Sequence, residues 1–138
     1  MFNLVAIIHL ILNTRLHFIS RKTKGNYVSV CVPLRQFYPK KSWYLKSKVN
    51  SHILEHERLH FDITELHARM FRQRIEKTRF TMNIDAQMNR LHEAINKELE
   101  ALQNRYDAET RHSQDLEKQQ EWQTKIIEAL NKLSRYSS

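Results

Sequence analysis

A chain of 138 residues is long enough for one domain with a real core and leaves no room for a second catalytic module. One glycine and two prolines are too few to cradle phosphates or close the many tight turns of a β-sandwich, and 41% hydrophobic residues are too many for a disordered chain. The net charge of +8 is unevenly placed: residues 1–54 hold nine Lys or Arg and no acid, and all fifteen acids follow. None of the nine basic residues joins a dense run, so this third reads first as a solvated basic surface and second as a contact for a polyanion or membrane surface.

Met1 to Asn13 is an apolar run too short to span a bilayer. A cleaved leader would need a basic start and small residues at the cut, whereas the first basic residue is Arg15, so the run reads first as a buried strand and second as a secretory signal. Tyr27 to Val32 alternates valines with Tyr27, Ser29 and Cys31, the period of a half-buried strand, and Leu16 to Ser20 is its hairpin partner across the turn at Gly25. Cys31, alone in the chain, has no disulfide partner and reads as inert. Pro33 and Pro39 exclude a long helix through residues 33–40. Residues 1–45 are thus a region of strands and loops.

Residues 47–79 contain no Pro or Gly, and Ile53, Leu59, Ile63, Leu66, Met70 and Phe71 recur near helical spacing. Ser47, Asn50 and Ser51 can each cap this helix, and Arg72, Arg74, Lys77 and Arg79 complement its negative end. A second periodic stretch over 82–135, from Ile84 and Met88 through Tyr106 to Leu133, predicts one long antiparallel partner with a kink near 106–113. Trp43, Phe61, Met70 and Trp122 fall at packing positions. The predicted class is α+β, mostly α: a small N-terminal hairpin or sheet packed on two long antiparallel helices, in a single domain over residues 1–138.

Inside the first helix stands His56-Glu57-Arg58-Leu59-His60. Residues four apart share a helix face, so His56 and His60 can offer two imidazole nitrogens to one zinc ion, with Glu57 placed to take a proton from a water beside it. The histidine and glutamate content makes roughly 0.04 such matches expected by accident. His67 is about 10 Å further along the axis and cannot share the ion. Glu65 points away from His60 and suits an ion pair with Arg69. A third ligand must come from the second helical stretch, where Tyr106 to Ser113 interrupts the apolar period with polar groups. His112 is the first candidate; Glu109 could ligate instead, or accept from a ligating imidazole. Tyr106 suits either a hydrogen bond to the oxyanion of a tetrahedral intermediate or helix packing.

These residues resemble the domain of unknown function 922 family of predicted zinc-dependent proteases. The resemblance rests on Ser42-Trp43, on Leu54-x-His56-Glu57-x-x-His60-Phe61-Asp62-Ile63-x-Glu65-x-x-Ala68-Arg69, on Tyr106-Asp107-x-x-Thr110-x-His112, and on Gln119-x-x-Trp122. Arg58 stands where that family usually has glutamine, and Ser113 where it has glycine. The resemblance implies a secreted or periplasmic metallopeptidase with zinc on His56 and His60, Glu57 as base, and the block containing His112 completing the site. A peptide or protein would be the substrate, held as an added strand beside residues 27–32. The competing expectations are a non-enzymatic helical module whose basic N-terminal third contacts an anionic surface, without specific nucleic-acid binding, and a zinc site without turnover.

Overall fold

The structure, a computed structural model, describes residues 50–137, which form three α-helices and a closing 3₁₀ turn: α1 (Ser51–Lys77), α2 (Ile84–Glu109), α3 (Leu116–Lys132) and the turn Ser134–Tyr136. The expected hairpin, the strand of residues 1–13, Cys31 and Trp43 lie outside the described residues.

Asn50 starts α1: its side-chain oxygen accepts from the Ile53 amide at 2.9 Å, meeting one of the four first-turn donors that the helix leaves open. Arg74 and Lys77 sit in its last turn, where positive charge complements the helix dipole. Residues 63–68 of α1 are buried without a break, although an amphipathic helix on a surface buries only a stripe. The cause is that α1 is central, with α2 against one side and α3 against another. Contacts of Phe71 with His92 and of His60 with Gln103 show α2 running antiparallel to α1, while His52 with Gln119 and Arg69 with Leu130 show α3 running parallel to it.

Leu59, Ile63 and Leu66 of α1 meet Leu99 and Tyr106 of α2 and Trp122 and Ile126 of α3 in one cluster. Ala68 and Phe71 meet Met88 and Ile95 in a second, toward the far end of α1. Polar ties close the rims. Arg74 grips Glu98 through two hydrogen bonds of 2.9 and 2.7 Å, joining α1 to α2. The expected Glu65–Arg69 pair is present at 2.9 Å, and the same guanidinium donates to the Leu130 carbonyl, joining α1 to α3. No helix among the described residues is long and apolar enough to cross a membrane.

Two differences from the sequence reading follow. The described residues contain helix and no strand, so their class is all-α and the α+β expectation is corrected. The reason lies in α1: the second face, which a hairpin was expected to cover, is closed by a third helix. The stretch over 82–135 is also not one kinked helix but two helices, parted at residues 110–115.

Arg111, His112 and Ser113 part them, with φ of 49°, 51° and 72°, a left-handed run built without glycine. The amides of Thr110, Arg111 and His112 donate to the carbonyls of Tyr106, Ala108 and Asp107, so the end of α2 is satisfied. Asp115 then caps α3 by accepting from the Lys118 amide at 3.0 Å. Ser113 is 4% exposed, and its hydroxyl is the one buried side-chain polar atom without a hydrogen-bond partner among the described residues. Left-handed geometry disfavours any Cβ, and a buried unmet hydroxyl adds to that cost. Ser113→Gly is therefore expected to stabilise the fold by about 1 kcal/mol in chemical denaturation, and a loss of stability would contradict this account of the turn.

Candidate metal centre

The interior positions of α1 include both histidines of the HExxH motif: His56 is 4% and His60 9% exposed. Their spacing places them one turn apart, with rings 5.1 Å between centroids and nearly perpendicular. Across from them, α2 presents Gln103, Tyr106 and Asp107, which share one face at spacings of three and four. Asp107 Oδ1 lies 3.0 Å from His56 Nε2 and 2.8 Å from His60 Nε2. These three residues form the group of metal-capable donors among the described residues, with their ligand atoms all within 4.8 Å of one another.

The far nitrogens are held as well. His56 Nδ1 is 3.2 Å from Gln119 Oε1 on α3, and His60 Nδ1 is 2.8 Å from Gln103 Oε1 on α2. Tyr106, fully buried, stacks on the His56 ring at 4.5 Å and meets His60 edge-on at 4.9 Å. Its hydroxyl donates to the His56 backbone carbonyl at 3.1 Å, and its ring also packs edge-on against Trp122.

The electrostatics follow from burial around one carboxylate. Burial opposes ionisation of Asp107, yet its hydrogen bonds to His56 and His60 and their positive charge outweigh it and hold the carboxyl well below the usual range. Burial likewise disfavours charge on His60, but the hydrogen bond and charge of Asp107, with Glu57 and Gln103, prevail and raise its pKa. Half-buried Glu57 is pushed up by desolvation, against the pull of His60 and His56 and with help from Asp107. A carboxyl whose pKa is raised is a better proton acceptor than an ordinary exposed glutamate. Burial, then the charges of Asp107 and Glu57, keep the Tyr106 phenol protonated.

The donor set fits zinc. Two imidazole nitrogens and one carboxylate oxygen are its common ligands, and three protein ligands leave a tetrahedral ion one position for water or substrate. The Asp107 side chain is 29% exposed, so the group is not sealed from solvent.

His56 and His60 are thus brought together as the motif implied, and Glu57 lies near enough for their charges to act on its carboxyl. His112, expected as third ligand, is not in the group: it is exposed in the left-handed turn, where its backbone amide caps the Asp107 carbonyl. The α2 residue that lies beside the two imidazoles is Asp107. Glu109 is engaged elsewhere, accepting from Arg105 at 2.7 Å and from the Trp122 indole at 2.9 Å. The Tyr106 hydroxyl, bound to the chain of α1, braces the site from below instead of facing a substrate. His67 stays out, its Nδ1–H donating to the Ile63 carbonyl. Sequence reasoning missed Asp107, Gln103 and Gln119. The available signal was their helical spacing: Gln103 and Asp107 lie four apart on one face, with Tyr106 between them in the core.

Residues 38–113 match the family described as "Bacterial protein of unknown function (DUF922)", more than half of the chain, and the protein belongs to that family. No curated protein and no solved structure matches it. The match spans His56, Glu57, His60 and Asp107 and stops at Ser113, short of α3.

The shifts give the pH dependence of the metal-free protein. A depressed carboxyl stabilises the fold above its unfolded pKa near 4 and loses that contribution as pH falls further; a raised histidine stabilises below about 6.5 and loses it as pH rises. His67, whose burial lowers its pKa, acts in the opposite sense, so the comparison is with a variant. The stability of wild type over Asp107→Asn is expected to peak between about pH 4 and 6.5 and shrink on either side, followed by thermal unfolding in a chelator. A flat difference would contradict the Asp107–His60 coupling.

Proposed function

We propose that this protein is a zinc-dependent hydrolase of the HExxH type, most simply a peptidase, with His56, His60 and Asp107 holding the ion and Glu57 as general base. The observation that carries the reading is the meeting of two imidazole Nε2 atoms and a carboxylate oxygen from a distant helix, beside a glutamate whose burial raises its pKa. A bound zinc supplies Lewis acidity toward a carbonyl and lowers the pKa of an attacking water toward about 7. The protein's residues do the rest. Glu57 receives the water's proton and returns it to the leaving amine, which requires a carboxylate that is ionised yet not strongly acidic. Burial of His56 and His60 removes competing water and strengthens the field acting on the substrate carbonyl. Tyr106 keeps the α1 backbone and both rings in register.

Purified protein is expected to bind one zinc ion per chain by metal analysis and to cleave internally quenched peptides in a chelator-sensitive way. Glu57→Gln should keep the zinc and lose hydrolysis by about 10²- to 10⁴-fold; full activity in that variant would remove Glu57 as base. Asp107→Ala should lose the metal while His112→Ala keeps it. The reverse outcome would restore His112 as ligand. Binding to a polyanion or an anionic vesicle that weakens steeply with salt and ignores chelators, without hydrolysis, would instead favour the non-enzymatic reading of the basic N-terminal third.

A further inference from the structure

The hydrogen bonds behind the two histidines fix which nitrogen of each ring carries the proton. A neutral imidazole has one N–H and one lone pair, and only the lone pair can bind a metal. A glutamine amide is equally ambiguous until its neighbours settle which end is oxygen. Here the neighbours settle both glutamines.

On the His60 side, the Thr64 hydroxyl donates to the His60 backbone carbonyl at 2.9 Å. Its oxygen is then the acceptor for Gln103 Nε2 at 3.2 Å, which turns Gln103 Oε1 toward His60 Nδ1 at 2.8 Å. An amide oxygen only accepts, so Nδ1 carries the proton, and in the neutral ring that a metal requires Nε2 keeps its lone pair. On the His56 side, the chain of bonds starts at the Ser113 carbonyl, which accepts from His52 Nε2. His52 Nδ1 is therefore a lone pair and accepts from Gln119 Nε2, which also donates to the His52 backbone carbonyl at 3.1 Å. Gln119 Oε1 is left facing His56 Nδ1 at 3.2 Å, and the same logic puts the proton there.

We propose that Gln103 and Gln119 are positioning residues that hold His60 and His56 as Nδ1–H tautomers, so that both Nε2 lone pairs are presented with Asp107 to one divalent cation. This rests on the metal-site reading above. Two relays, one anchored on a backbone carbonyl of α1 and the other on the α2–α3 turn, reach the same end from opposite sides. Glutamine does this without adding charge, so the protein's share of the site's negative charge stays with Asp107 and Glu57. Partners of this kind behind ligating histidines orient the rings and raise their basicity.

The test uses full-length protein, zinc as the probe, competition with a chromophoric chelator for affinity, and ¹⁵N NMR of the histidine rings. In zinc-loaded wild type both His56 and His60 should show metal on Nε2 and a retained proton on Nδ1. Gln103→Leu and Gln119→Leu should each weaken zinc binding about 10- to 100-fold with helical content unchanged, and Gln103→Glu, which can still accept, should restore it. Zinc affinity within twofold of wild type in both leucine variants, or metal on Nδ1 of either ring, would overturn the inference and leave the metal site standing. Failure of wild type itself to bind zinc would remove the metal-site reading and this inference with it, and that result comes before any variant is made.

Discussion

One carboxylate shared by two buried imidazoles organises this protein. Alone, each of the three groups would resist removal from water, since burying an unpaired charge or an unmet polar atom costs several kcal/mol. Together they compensate one another: Asp107 Oδ1 lies within 3.0 Å of both Nε2 atoms. The same arrangement that stabilises them in pairs leaves their donor atoms aimed at a common point. Two helices, α1 and α2, hold the groups there.

The packing serves this end. Tyr106 stands at the crossing of all three helices, stacked on His56, edge-on to His60 and Trp122, and bonded to the α1 backbone. Its ring sets the depth at which the histidines sit, and Asp107, the next residue along α2, inherits its position from that anchor. α3 contributes through Gln119 and through the Trp122–Glu109 bond, which keeps Glu109 away from the site. Membership in a family defined over residues 38–113 accounts for α1 and α2; α3 closes the other flank.

Much of this was legible in the chain and some was not. The uninterrupted stretch free of Pro and Gly, the Asn50 cap, the Glu65–Arg69 pair and the HExxH clamp are local features, encoded within one or two turns, and the structure repeats them. The third donor is not local. His112 was the obvious choice because histidine is the commoner zinc ligand, but its place depends on where α2 ends, and that end is a left-handed run of ordinary residues with no glycine to announce it. Asp107 belongs to the same polar block, but beside Tyr106 in sequence it gives no sign of facing α1. The class was misread for a related reason: a helical period broken for a few residues looks like a kink until the Asp115 cap is seen to begin a new helix. The readings placed on residues before 50 fall outside the described residues.

The parallel course of α1 and α3 bears on how the chain assembles during synthesis. His56 and His60 emerge first, and Asp107 and Gln119 follow 51 and 63 residues after His56. Chains leave the ribosome at roughly 5–20 residues per second, so the nascent α1 spends seconds with its pair of imidazoles unpartnered by the later helices. Asp107 and Gln119 join the two rings only when the later helices dock against α1.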